Sequence, residues 1–275
     1  SADPRESLRR CRISSLLRTP AKGCLSPEAG VQFLTAVMLQ HYCRVDNTSM
    51  KMKYNFDEVI DRYDTNSVKY ENAKEEEPDL KDDFIPLWIA DMDFACPPEV
   101  IKAMHERLDR KILGYSDILD SKYMDAVKNW MYTHYEWIPP MDHMVISPGV
   151  VPAISNLIQL LTDENDKVLI LTPSYKPFYS AIVNNKRIPI YSSLIYEDKK
   201  YKLDFENLER QLQDAKLFVF CSPHNPTGRI WTEEELRKVV ALCEKESVSI
   251  ICDEIHQDIH REGKQYIPLM KLFPE

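Results

Sequence analysis

From residue 96 onward the chain alternates short, unbroken apolar runs with amphipathic helical patterns, and this alternation restricts it to few architectures. The apolar runs fall at 144–146, 168–171, 188–191, 217–221 and 248–252. Between them Ile101, Met104 and Leu108 recur at helical spacing, as do Met124, Val127 and Met131, and then Ile154, Leu157, Ile158 and Leu161. Pro97-Pro98 suits a first helical turn. Thr232 and Glu235 have capping-box spacing ahead of a helix burying Leu236, Val239, Val240 and Cys243. A strand with no apolar–polar alternation is buried on both faces. The pattern therefore predicts an α/β fold, with a mostly parallel central sheet and helices on both faces. In such sheets ligands bind at the carboxyl ends of the strands.

Composition narrows the function. Hydrophobic residues make up 44% of the 275 residues, enough for a sizeable core. The net charge of −9 argues against a chain built to coat nucleic acid or an acidic membrane. No G-x-G-x-x-G loop, Walker A loop or G-x-S-x-G elbow occurs, which sets aside dinucleotide, P-loop and α/β-hydrolase chemistry. Seven cysteines without a C-x-x-C pair fit a reduced, cytoplasmic protein better than a disulfide scaffold or zinc finger. No apolar run reaches the roughly 18 residues a membrane helix needs, so neither a nucleic-acid nor a membrane partner is expected. Residues 1–49 differ in character: their net charge is +3 against −12 for the remainder, and no hydrophobic period persists in them. They are expected to be a non-native or disordered leader outside the fold.

Three strand ends carry unusual residues. Ile146-Ser147-Pro148-Gly149-Val150-Val151 runs straight into a helix. Gly149 permits close backbone approach there, and the first-turn amides of Val150 and Val151 suit an anion such as phosphate. Ser222-Pro223-His224-Asn225-Pro226-Thr227-Gly228 is a proline-fixed loop presenting the Asn225 amide, though such dipeptides also make ordinary turns. Asp253 ends the last apolar run, where a buried carboxylate requires a cationic or hydrogen-bonding partner. His256 and His260 stand four apart, but Gln257 replaces the glutamate a zinc protease needs, so no metal site is expected.

Asn225-Pro226-Thr227-Gly228 followed by Asp253-Glu254-Ile255-His256 resembles the fold-type I enzymes that use pyridoxal phosphate (PLP), the class I/II aminotransferase superfamily. Trp88-Ile89-Ala90-Asp91-Met92-Asp93-Phe94, Gly114-Tyr115-Ser116 and Thr172-Pro173-Ser174-Tyr175 are similar to its cysteine-S-conjugate and cystathionine β-lyase branch, the maltose-regulon-modulator type. The resemblance runs from about Tyr54 to the C-terminus and implies a fold-type I transferase-like architecture. Residues 50–95 would form an N-terminal segment with part of the small domain and active-site loop. Residues 96–275 would be an incomplete PLP-binding large domain, the C-terminal small domain missing.

The resemblance also implies roles. Asp253 would keep the ring nitrogen protonated, Asn225 would donate to the phenolate oxygen, and His256 would be a second donor near it. Tyr175 would stack on the ring, and Gly149, Val150 and Val151 would hold the phosphate. Tyr115 would reach the partner's phosphate across a homodimer interface, and Asp91 to Phe94 would line the substrate pocket. The family's Schiff-base lysine lies roughly thirty residues past the Asp-Glu-Ile-His element, beyond Glu275. Lys264 and Lys271 are too near and lack its Ser-Lys context, so no catalytic residue is assigned and this chain is expected to be inactive alone. The activity implied is β-elimination from a sulfur amino acid such as cystathionine, giving a thiol, pyruvate and ammonia. An aminotransferase, or a non-catalytic regulator that binds a protein, are the alternatives.

Overall fold

The computed structural model describes residues 33–36, 54–81 and 83–273. They form two compact units, one of residues 54–144 and one of residues 145–273 together with Phe33–Ala36. The division between these units falls at 144/145. Residues 96–144 hold helices and no strand.

The first unit contains a helical stretch, Val68–Asn72 running into Ala73–Glu76, then α1 (Pro98–Leu108) and α2 (Ser121–Tyr135). Asp120 caps α2 by accepting the Tyr123 amide at 2.7 Å, satisfying one of the orphan donors of the first turn. Val127, Met131 and Tyr135 are buried along α2. The Ile101, Met104 and Leu108 stripe of α1 stays exposed.

The second unit is built on β1 (Phe33–Ala36), β2 (Lys167–Thr172), β3 (Ile188–Ser193), β6 (Leu217–Cys221) and β7 (Ser249–Asp253), all parallel in the order β1-β7-β6-β2-β3. A separate hairpin joins β4 (Ile195–Glu197) to β5 (Lys200–Lys202) through Asp198 and Lys199, both at positive φ as a tight hairpin turn requires. Residues 144–146, expected as a strand, pair with no strand among the described residues, and Val145 is exposed.

Helices cover both sheet faces. On one, α3 (Val150–Leu161) and α4 (Lys176–Asn184) lay Ile154, Ile158, Phe178 and Ile182 against Val168, Ile170, Val219 and Ile251. On the other, α5 (Phe205–Leu212), α6 (Glu233–Lys245) and the single turn α7 (Leu269–Leu272) pack on Leu169, Phe218, Phe220, Ile250 and Cys252. Successive strand residues serve opposite cores, which is why the runs are apolar throughout. Burying a side chain such as Phe218 contributes roughly 1.5–3 kcal/mol relative to exposure. The expected capping box closes α6: Thr232 accepts the Glu235 amide at 3.2 Å and Glu235 accepts the Thr232 amide at 2.7 Å.

The sheet corrects the exclusion of residues 1–49 at one place. Phe33–Ala36 pairs with β7, Ala36 opposite Asp253. The edge of β7 away from β6 carries backbone groups that need partners, and this segment supplies them. The rest of the leader, with Cys11, Cys24 and Cys43, lies outside the described residues. Among the described residues no helix is long and apolar enough to cross a membrane.

Candidate functional site

Strand register brings the segments bearing Tyr175, Asn225 and Asp253 to one edge. Cys221 lies opposite Asp253, and Ile170 opposite Val219. Continuing that register by two residues sets Thr172 level with Cys221. The ends of β2, β6 and β7 therefore form one line, and the segments bearing Tyr175, Asn225 and Asp253 leave the sheet side by side. Residues 162–166 lead from the end of α3 into β2, so α3 runs back against the strands. Its 12 residues rise about 18 Å, close to the about 20 Å of the 6-residue β2. Gly149, Val150 and Val151 thus arrive at the same edge.

Each residue has a definite local cause. Gly149 precedes α3 in extended conformation and gives it no side-chain cap, whereas Asp120, Thr232 and Asp204 cap α2, α6 and α5. A Cβ on Gly149 would meet Pro152 Cδ at 3.4 Å, an ordinary contact, so the protein's own packing does not demand glycine there. A ligand approaching the backbone would. Tyr175 begins α4, half exposed and edge-on to Phe178 at 5.5 Å between ring centroids.

The Asn225 loop is tightly braced. His224 exchanges backbone hydrogen bonds at 2.8 Å with Arg229 and Gly228, and its Nδ1 meets Thr227 Oγ1 at 2.8 Å. Trp231 Nε1 donates to the Cys221 carbonyl, and the Trp231 ring meets the His224 ring edge-on. Burial lowers the His224 pKa to about 4, so its ring is neutral at pH 7. The Asn225 side-chain amide makes no hydrogen bond among the described residues, which leaves its donors available.

Asp253 is only 3% exposed. Burial pushes its carboxyl pKa up, against the opposing effects of the Ile255 amide, which donates to Oδ1 at 3.0 Å, and the charge of His256. Among the described residues no lysine or arginine pairs with it. A buried acid of this kind is completed by a cationic N–H donor. Its charge and the burial of Cys221 together raise that thiol to about 12, burial being the larger cause, so Cys221 is no nucleophile.

His256 lies three residues beyond Asp253 in the turn that follows β7. Tyr115 belongs to the other unit, where it is fully exposed after Gly114 at φ +51°. Asp91 and Asp93 are ion-paired: Arg62 reaches both, at 2.6 and 3.0 Å, and the buried Lys69 ammonium holds Asp93 at 2.7 Å and the Asp91 carbonyl at 2.6 Å. The Lys69 hydrogen bond is the main reason the Asp93 carboxyl sits below its ordinary range.

Two residues of this edge escaped sequence reasoning, His224 and Glu254. Both are buried polar groups next to a predicted ligand, and that adjacency was the available signal. A groove between α3 and α4, lined by Val151, Ser155, Lys176 and Ser180, takes in neither Asn225 nor Asp253.

Fold and site define an α/β protein with an uncapped helix start and a buried acid at one sheet edge. Residues 82–273 match the aminotransferase class I and II family, and the chain belongs to that family. It is 40% identical over 220 residues to cystathionine beta-lyase PatB of Bacillus subtilis (strain 168), covering 79% of this chain and 56% of that protein. It is 32% identical over 217 residues to protein MalY of Escherichia coli (strain K12), covering 78% and 55%. The PLP-bound C-S lyase from Staphylococcus hominis superimposes with a TM-score of 0.75 at 40% identity, covering 81% of this chain and 56% of that one. The chain spans a little over half the length of these relatives.

Proposed function

We propose that this chain is the cofactor-binding portion of a PLP-dependent carbon–sulfur lyase. The observation that carries the reading is Asp253: a carboxylate buried at a strand end opposite Cys221, where the chain leads on to Asn225, with no lysine or arginine paired to it among the described residues. The names of the relatives, cystathionine beta-lyase and C-S lyase, support the choice of reaction.

When bound, PLP supplies an electron sink for the charge left when a substrate α-proton departs. Asp253 would accept a hydrogen bond from the protonated ring nitrogen and keep that proton in place by a charge-assisted bond. Asn225 and His256 donate to the phenolate oxygen. Val150 and Val151 hold the phosphate with their amides, where the helix dipole favours an anion, and Gly149 lets it approach. Tyr175 covers one ring face. Tyr115, exposed and outside the sheet unit, reaches the phosphate of a second copy in a homodimer. The substrate class is an amino acid with sulfur on its β-carbon. The compartment is cytoplasmic. A lysine outside these 275 residues moves the α-proton.

Two measurements test this. The chain alone is expected to bind pyridoxamine 5′-phosphate reversibly and to lose most of that affinity for pyridoxamine, which lacks the phosphate. A protein carrying this chain at the relatives' full length is expected to release pyruvate from cystathionine with no keto acid added. Turnover only when a keto acid is supplied would make it an aminotransferase.

A further inference from the structure

We propose that Glu254 is a positioning residue that aims Asp253 by tying the chain leaving β7 to the segment before α7. The inference rests on the cofactor reading of Asp253 given above. Glu254 is 1% exposed, and its Oε1 accepts both the Tyr266 hydroxyl and the Leu269 amide, the latter at 2.8 Å. Tyr266 and Leu269 are themselves buried, Leu269 within the core that contains Cys252. The Glu254 carbonyl accepts the Gln257 amide at 2.9 Å, so residue 254 is held by side chain and backbone. Its neighbour Ile255 supplies the amide that orients Asp253 Oδ1 at 3.0 Å. Any movement of residue 254 is therefore passed through Ile255 to the acid.

Packing alone gives no reason for a carboxylate here. An apolar side chain at this strand end would avoid the desolvation of a charge but would take away the acceptor that the Tyr266 hydroxyl and the Leu269 amide share. What a buried acceptor with fixed donors provides is geometry, since both donors must stay in place to satisfy it. From Asp258 to Gln265 the chain runs exposed, and Glu254 with Tyr266 closes this loop at its base.

Pyridoxamine 5′-phosphate is the probe for the test, because its amine forms no adduct with lysines. Its fluorescence reads affinity, its absorbance reads the titration of the ring nitrogen, and trypsin nicking at Arg261 and Lys264 reads loop closure. Glu254→Ala is expected to weaken binding about tenfold and to move the ring-nitrogen midpoint down by about one pH unit, toward that of the free probe. Glu254→Gln keeps an acceptor at Oε1 and restores both. Tyr266→Phe removes one donor and shifts both readings by a smaller amount in the same direction, which keeps the test valid if the alanine variant does not fold. Faster nicking with an unmoved ring-nitrogen midpoint overturns the proposal, because Glu254 then only closes the loop. Failure of the glutamine to rescue overturns it as well. Wild-type binding by Asp253→Asn removes the cofactor reading itself, and the proposal with it.

Discussion

At the residue scale, two buried titratable groups at the sheet edge should respond to pH and mutation in opposite senses. Asp253 is held above its ordinary pKa mainly by burial, and a protonated ring nitrogen would relieve that. Asp253→Ala should therefore raise the dissociation constant for pyridoxamine 5′-phosphate roughly 10- to 100-fold, the scale of one hydrogen bond to a charged group. An unchanged constant in a fluorescence titration would contradict the assignment. His224 behaves differently, because burial lowers its pKa from 6.5 to about 4. The unfolded chain thus binds the extra proton first, so stability is present above the unfolded pKa and is lost as pH falls from 6.5 toward 4. Between pH 7 and 4.5 this group alone should remove about 2 kcal/mol, and His224→Asn should abolish that part of the loss in denaturant titrations. Equal pH sensitivity of variant and wild type would show that His224 is not the group responsible. Asp253 was legible in sequence because an acid directly after an unbroken apolar run has few ways to avoid burial. Glu254 was not, since nothing in the string Asp253-Glu254 says that the second acid also turns inward toward Tyr266.

At the element scale, the periodic patterns located helices but did not reveal their partners. The α6 capping box and its four buried residues were legible because spacing alone fixes them. The stripe of α1 reads the same way, yet the structure leaves it exposed, because amphipathicity reports a face and not what covers it. Helices α4 and α5 went unread although their signals were present: Phe178, Ala181 and Ile182 on α4, and on α5 Asp204, which caps it by accepting the Asn207 amide, ahead of Leu208 and Leu212. The edge of β7 shows the limit of composition. A charge contrast separated residues 1–49 from the body, but strand pairing depends on free backbone groups and not on charge. Deleting residues 1–49 should accordingly lower the thermal midpoint by several degrees, by uncovering that edge; an unchanged midpoint would return the whole segment to the role of a leader. The Asp91 to Asp93 loop depends on Lys69, buried at 4% exposure with its ammonium between the loop carbonyl and Asp93. Lys69→Ala should cost about 2 kcal/mol in a denaturant titration, by stranding acceptors that now share a charged donor.

For the molecule as a whole, the parallel sheet and the line of strand ends followed from the sequence, because apolar runs buried on both faces leave few alternatives. The partition into units did not, since residues 96–144 have helical periods that suit either side of the boundary. This chain spans a little over half the length of these relatives, and the edge proposed to hold the cofactor lies within that span. The most direct test of the central claim is a crystal structure of this chain soaked with pyridoxamine 5′-phosphate. The phosphate should lie at the start of α3 within hydrogen-bond reach of the Val150 and Val151 amides, with the ring nitrogen facing Asp253 and the phenolate oxygen facing Asn225. A probe bound with its phosphate elsewhere, or with its ring nitrogen turned away from Asp253, would contradict the account.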